Sequence, residues 1–297
     1  MTDKNSKIKK KQLQEPNLGR TKTTKEEIMS IGTKLIYAII FLIILEVLFL
    51  GTMILLSKPS QNKFNQTDNY SENFTLNYSD GNGLFDDKNA IYLGNVNAPI
   101  KIVVFSDFQC PFCNSYYSDV EKLIIRNYVS LNKVVIYYKD FPLDFHDKAL
   151  QSAKAARCAN EQGEFWQMHN LLYDRSSEWI IVVPRAADNI FKKYAGLLNL
   201  DINKFSNCYD NNQTLQKIEN DLIYGQSIGI KGTPTIEIYF DKNKQIVVKK
   251  AIDNQIYYNS PQAYNAIETR IEGNYYIVRI SGLQSYFLFK EIIESAG

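Results

Sequence analysis

Cys110 and Cys113, separated by Pro111 and Phe112, are the residues whose type and spacing most directly offer chemistry. A thiolate attacks a disulfide sulfur, forms a mixed disulfide and is displaced by a second thiol, so a pair within mutual reach needs no dissociable cofactor. The elements that must position the pair lie on either side. Ile100 to Phe105 is a β-branched run suited to a buried strand, and Tyr117, Val120, Leu123 and Ile124 keep helical spacing after the second cysteine. The motif therefore occupies a strand-to-helix junction. Pro111 suits the first helical position, which leaves Cys110 at the N-cap, where unpaired N–H groups and the positive end of the helix dipole favour a thiolate. We expect an exposed, attacking Cys110 with a depressed pKa and a shielded, resolving Cys113 one turn further on.

Zinc is the competing use of such a pair, and it needs a second set of ligands. The other cysteines, Cys158 and Cys208, stand 50 positions apart, and the two histidines, His146 and His169, lack ligand spacing. We expect no metal. The histidines read as ordinary helix-surface or interface residues in helical context. A formal net charge of +2 over 297 residues supplies no basic field for a polyphosphate, so nucleic acid is not an expected partner.

The chain is divided by composition. Residues 1–34 form a tail with nine basic against four acidic side chains, and Leu35 to Leu56 is an apolar run of 22 residues, long enough to cross about 30 Å of hydrocarbon as a helix. Basic residues stay on the cytoplasmic side, so an uncleaved single-pass anchor over 35–56 puts everything after it outside the membrane. Residues 57–88, rich in Asn, Ser and Asp, read as a flexible stalk. Four sequons place Asn65, Asn69, Asn73 and Asn77 at four-residue intervals, either glycosylation sites or an accident of composition. The remaining 89–297 form the expected catalytic domain.

Tyr92 to Pro99 leading into Phe105-Ser106-Asp107-Phe108-Gln109-Cys110-Pro111-Phe112-Cys113 resembles the opening of DsbA-like thiol:disulfide oxidoreductases. Lys139-Asp140-Phe141-Pro142-Leu143, Ala155 to Ala159 with Phe165-Trp166, Gly232-Thr233-Pro234-Thr235 and Gly282-Leu283-Gln284-Ser285-Tyr286 follow in that family's order. The likeness spans residues 90–240 and 275–297. It implies an α/β thioredoxin-like fold with a helical insert at about 145–228. It also implies a cis bond before Pro234 and a loop in which Thr233 and Pro234 receive an extended substrate chain. Many relatives carry a buried acid six residues before the first active cysteine, where this chain has Val104. Phe112 replaces the histidine of DsbA itself, which implies a weaker oxidant.

Cys158 and Cys208 could be two isolated buried thiols, but an oxidising exterior favours pairing, and we expect a structural disulfide between them that holds the helical insert. Residues 241–272 are an additional insertion, whose apolar Ile246-Val247-Val248, Ile252 and Ile256-Tyr257-Tyr258 suit a sheet edge or a surface cover bearing on clients. The function these readings favour is an extracytoplasmic dithiol:disulfide oxidoreductase acting on secreted or surface proteins with cysteines. Its electrons would pass, by analogy, to a quinone-linked membrane protein. The alternatives are a peptide-binding chaperone module without turnover, which has no need of two thiols at this spacing, and a disulfide reductase or isomerase.

Overall fold

A computed structural model describes Phe85, residues 90–258 and residues 265–297, together with Leu42 alone. The predicted tail at 1–34, the span at 35–56 and the stalk at 57–88 with Asn65, Asn69, Asn73 and Asn77 lie, apart from Leu42 and Phe85, outside the described residues. Among the described residues no helix is long and apolar enough to cross a membrane.

Six strands make one sheet: β1 (Ile91–Leu93), β2 (Ile100–Ser106), β3 (Val134–Asp140), β4 (Thr235–Asp241), β5 (Ile267–Glu272) and β6 (Tyr275–Ser281), in the order β1-β3-β2-β4-β6-β5. Only β2 and β3 run parallel, in register from Ile100 opposite Val134 to Ser106 opposite Asp140. The others pair antiparallel. Both faces are covered, which is why Ile102–Phe105 of β2 and Val134–Tyr138 of β3 read as continuous apolar runs rather than alternating ones. Ile102, Val104, Ile136 and Tyr138 face the larger core shared with the active-site helix and the helical insert, while Val103, Phe105, Val135 and Tyr137 face the smaller one.

The crossover from β2 to β3 is α1 (Pro111–Tyr116), which continues through a π-helical turn at Tyr117–Glu121, α2 (Lys122–Ile124) and a second π-helical turn at Ile125–Val129. Such turns are rare in soluble helices and concentrate at functional sites. The insert comprises α3 (Ala149–Asn160), α4 (Phe165–Asp174), α5 (Ser176–Trp179), α6 (Pro184–Leu197), α7 (Ile202–Asp210) and α8 (Leu215–Ser227), within the predicted bounds. Cys158 in α3 and Cys208 in α7 are joined by a disulfide with S–S 1.98 Å, the paired alternative of the two readings. Trp166 anchors the insert to the sheet, donating from Nε1 to the Tyr92 carbonyl at 2.9 Å. Gly225 lets α8 approach the sheet closely: a Cβ there would lie 2.8 Å from the Phe141 ring.

The additional insertion is part helix, part edge strand. Residues Gln245–Tyr258 form α9, and β5 closes the sheet edge against β6. Ile246-Val247-Val248 and Ile252 therefore lie in a helix and do not extend the sheet. Val248 and Ile252 are buried in the main core, where α9 packs on α10 (Tyr286–Glu294), whereas Ile246 and Val247 are exposed. Arg270 of β5 donates to the buried Glu237 carboxylate of β4 at 2.7 Å. A segment that fills core volume and neutralises a core acid is built into the domain.

Candidate active site

β2 ends at Ser106, and the bend Asp107-Phe108-Gln109 brings the chain to Cys110, whose φ of −72° and ψ of 123° make it the extended N-cap of α1 with Pro111 as the first helical residue. The bend is held from within. Asp107 accepts from the Gln109 N–H at 2.8 Å, from the Leu143 N–H at 3.0 Å and from His146 Nδ1 at 2.7 Å. Gln109 in turn donates to Asp147 at 2.8 Å and accepts from the Lys148 N–H at 2.6 Å. His146 therefore belongs to a loop beside the site and pairs with Asp107; the helical context expected for it is not observed.

The two sulfurs differ sharply. Cys110 is 3% exposed, not the exposed residue expected from its position at the helix start. The reason is the loop before β4: Cys110 Sγ lies 3.4 Å from the Thr233 carbonyl oxygen, and the Thr233–Pro234 bond is cis, as the resemblance implied. The neighbouring Phe112, 59% exposed, presents the aromatic surface at this end of the helix. The Cys110 thiol is lowered to about 6, first by the hydrogen bond its thiolate accepts from the Cys113 thiol and further by contact with Thr233 and by the backbone N–H groups of Cys113 and Phe112, against the opposing effect of burial. Cys113 is fully buried, and that burial, with the neighbouring Cys110, pushes its thiol well above the ordinary range while Ser106 and Thr233 pull the other way.

Around the pair, the helix and the loops are pinned by side chains. Asn114 donates to the Tyr173 carbonyl at 3.1 Å and to Ser176 Oγ at 2.7 Å, fixing α1 to the insert. The loop carrying Thr233 and Pro234 is closed by Thr235, which donates to the Gly232 carbonyl at 2.7 Å. Gly282, at a φ of 76° that favours glycine, donates from its N–H to the Pro234 carbonyl at 2.8 Å. The structure thus brings Cys110, Pro111, Phe112, Cys113, Thr233 and Pro234 together, and leaves Cys158 and Cys208 as a separate cross-link inside the insert.

The residues that sequence reasoning missed are polar and buried. Glu121 is 2% exposed and His169 fully buried, so His169 is not a surface residue. Glu121 falls four positions after Tyr117 and three before Ile124, on the apolar stripe of its own helix, and that placement was a readable signal. Asp221 was also missed; nothing near it in sequence marks it as the partner of Lys139 and Arg157.

A thioredoxin-type sheet with a dithiol at the start of its crossover helix, a cis-proline loop over the sulfur and a helical insert define a DsbA-like thiol:disulfide oxidoreductase. The family model described as Thioredoxin matches residues 86–255, and the chain belongs to that family. Among curated relatives, the probable disulfide bond formation protein D of Bacillus anthracis is 27% identical over 188 residues, 59% of this chain and 82% of that protein. The Na(+)/H(+) antiporter NhaA 3 of Salinispora tropica is 34% identical over 143 residues, 48% of this chain but only 20% of the antiporter's length. Wolbachia pipientis alpha-DsbA1 shares the fold, with a TM-score of 0.53 at 20% identity over 70% of this chain and 90% of that one.

Proposed function

We propose that this chain is a membrane-anchored dithiol:disulfide oxidoreductase that forms disulfides in proteins outside the cytoplasm. The apolar run at 35–56 serves as its anchor, and the basic tail stays inside. The observation that carries the reading is the placement of the pair: Cys110 at the N-cap of α1 with its sulfur 3.4 Å from the Thr233 carbonyl oxygen of the cis-proline loop, and Cys113 fully buried one turn on. A client thiolate attacks Cys110 Sγ of the oxidised pair; the Cys110–Cys113 bond breaks and a client–Cys110 disulfide forms. A second client thiolate displaces Cys110, which leaves as a stable thiolate. The client loses two electrons and the pair gains them. Thr233 and Pro234 border the attacked sulfur and receive the client backbone. Phe112, where DsbA carries a histidine, supplies no positive charge to the Cys110 thiolate, which supports an oxidant milder than DsbA. A quinone-linked membrane protein is the proposed acceptor of the electrons.

The reading is tested by trapping. Purified Cys113→Ala in its reduced form, mixed with a client carrying an accessible disulfide, should accumulate a Cys110–client mixed disulfide, whereas Cys110→Ala should form none. Equal trapping on either cysteine would refute the assignment of roles.

A further inference from the structure

The turn that delivers Cys110 is fastened from outside by a side chain to which the exchange reaction as written above gives no task. Cys110 is the joint between that turn and the helix: its N–H donates to the Asp107 carbonyl at 3.0 Å, and its own carbonyl accepts the N–H groups of Cys113 and Asn114, each at 3.1 Å. The Asp107 carboxylate sits inside the turn with its side chain fully buried. Oδ1 accepts the Gln109 N–H at 2.8 Å, while Oδ2 accepts the Leu143 N–H at 3.0 Å and faces His146 Nδ1 at 2.7 Å. Of these three partners only His146 acts through its side chain, and it comes from the loop between β3 and α3.

We propose that His146 is a positioning residue for Cys110: its ring holds the buried Asp107 carboxylate, and the carboxylate holds the turn that sets the sulfur against the cis-proline loop. The inference rests on the exchange reaction proposed above and adds a residue that keeps Cys110 a good leaving thiolate.

The need for the clamp follows from the chemistry of the carboxyl group. A carboxylate accepts at both oxygens, as this one does, whereas a protonated carboxyl carries an O–H on one of them and must there turn away a backbone donor. Burial pushes the Asp107 carboxyl up, and the His146 hydrogen bond is the largest influence drawing it back, ahead of those from Leu143 and Gln109. Because a carboxylate only accepts, the ring proton lies on Nδ1. Hydrogen bonds to an ionised buried group are the strong ones, and losing one leaves the group's desolvation uncompensated. Without the ring, Asp107 either stays ionised and short of a donor or takes a proton that breaks one of its two backbone bonds. Either outcome loosens the turn.

The loop is built to keep the ring in place. The His146 N–H donates to the Leu143 carbonyl at 2.9 Å and the His146 carbonyl accepts from the Ala149 N–H at 3.1 Å, so the residue is held on both sides of its own backbone. Phe145 packs edge-to-face on the imidazole, with ring centroids 4.6 Å apart. Gln109 ties the same loop to the turn a second time, through Asp147 and Lys148. What reaches Cys110 is position. Its sulfur stands 3.4 Å from the Thr233 carbonyl oxygen, and its thiolate takes the backbone N–H groups of Cys113 and Phe112, only while the turn leaves the residue at the N-cap of α1.

Two substitutions separate the hydrogen bond from the bulk of the ring. His146→Leu removes the donor, and His146→Asn returns an N–H at the position of Nδ1. In the leucine variant the Cys110 midpoint, followed by thiolate absorbance of the reduced protein, should rise by about one pH unit, the scale of a lost hydrogen bond to a charged group. The equilibrium of the pair with glutathione should move severalfold toward the disulfide. The asparagine variant should return both quantities toward the wild type. A merely structural clamp would lower the melting temperature and leave midpoint and equilibrium in place; that result, or equal shifts in the two variants, overturns the inference while leaving the exchange function intact. Absence of exchange in the wild type would instead remove the function, and the inference with it. Should the variants fail to fold, imidazole nitrogen NMR of the wild-type protein decides the matter. Coupling between two sites is reciprocal, so the His146 Nδ1 resonance should differ between the oxidised and reduced forms of the pair. Identical resonances in both forms contradict the inference.

Discussion

Strand β3 ends between two buried polar clusters that solve the same problem in opposite ways. On one side lie the Tyr116 and Tyr138 hydroxyls, Glu121 Oε1 and His169 Nε2, none with a hydrogen-bond partner among the described residues. One and two residues after Tyr138, Lys139 and Asp140 join Arg157 and Asp221 in a set of ion pairs: Lys139 Nζ lies 2.9 Å from Asp221, Arg157 Nε lies 2.6 Å from Asp140, and Arg157 also bonds Asp221. The paired cluster ties β3 to α3 and α8 and so fixes the insert on the sheet. The other cluster joins β3 to α4 by ring packing, Tyr138 against His169 at 5.5 Å. Buried charges held by ion pairs specify one arrangement, although Asp140 Oδ1 has no hydrogen-bond partner among the described residues, whereas buried neutral groups without hydrogen bonds specify none.

Removing one member of the paired cluster should have the largest effect. Arg157→Met leaves two buried carboxylates facing each other, and we expect a loss of about 3–5 kcal/mol in unfolding free energy by denaturant titration. The Cys110 midpoint of the molecules that remain folded should not move. A loss below about 1 kcal/mol would show that the ion pairs do not hold the insert, and the contrast between the clusters would fail.

The unpaired cluster should betray itself through pH. Glu121 has a folded value of about 8, above that of a free carboxyl, so the folded state holds its proton while the unfolded state releases it, and stability declines as pH rises toward 8. His169 has a folded value of about 3, below that of a free imidazole, so the unfolded state takes up a proton first and stability declines as pH falls below about 6.5. Glu121→Gln should flatten the alkaline limb of a stability–pH curve and His169→Asn the acid limb. Both limbs unchanged in the two variants would place the titration elsewhere.

The contrast also explains what could be read without coordinates. The dithiol, the strand-to-helix junction and the apolar run of β2 are local patterns, each written in a few consecutive residues, whereas the cis bond before Pro234 was implied only by the resemblance to the family. The pairing of Cys158 with Cys208 was expected from the oxidising exterior, and the insert brings the two to a Cα–Cα distance of 5.8 Å. Asp221 meets Arg157 across 64 residues, and no local pattern encodes that. Cys110 was misjudged because its exposure depends on Thr233, 123 residues away. Glu121 stood on the helical stripe between Tyr117 and Ile124 and was passed over because the stripe was counted in apolar residues alone, while Leu123, which was counted, is only half-buried. Ile246 to Ile252 carried enough β-branched residues to suggest a sheet edge, yet their burial against α10 selected a helix.

The central claim is that two cysteines three residues apart have opposite acidities because one sulfur stabilises the other. Thiolate absorbance in the ultraviolet, followed on the reduced protein as a function of pH, measures this directly. The account predicts a first transition near pH 6 that disappears in Cys110→Ala and moves upward in Cys113→Ala, since the Cys113 thiol is the largest cause of the lowered value. A first transition near the ordinary cysteine value of about 8.5, or one that stays in place when Cys113 is removed, would contradict it.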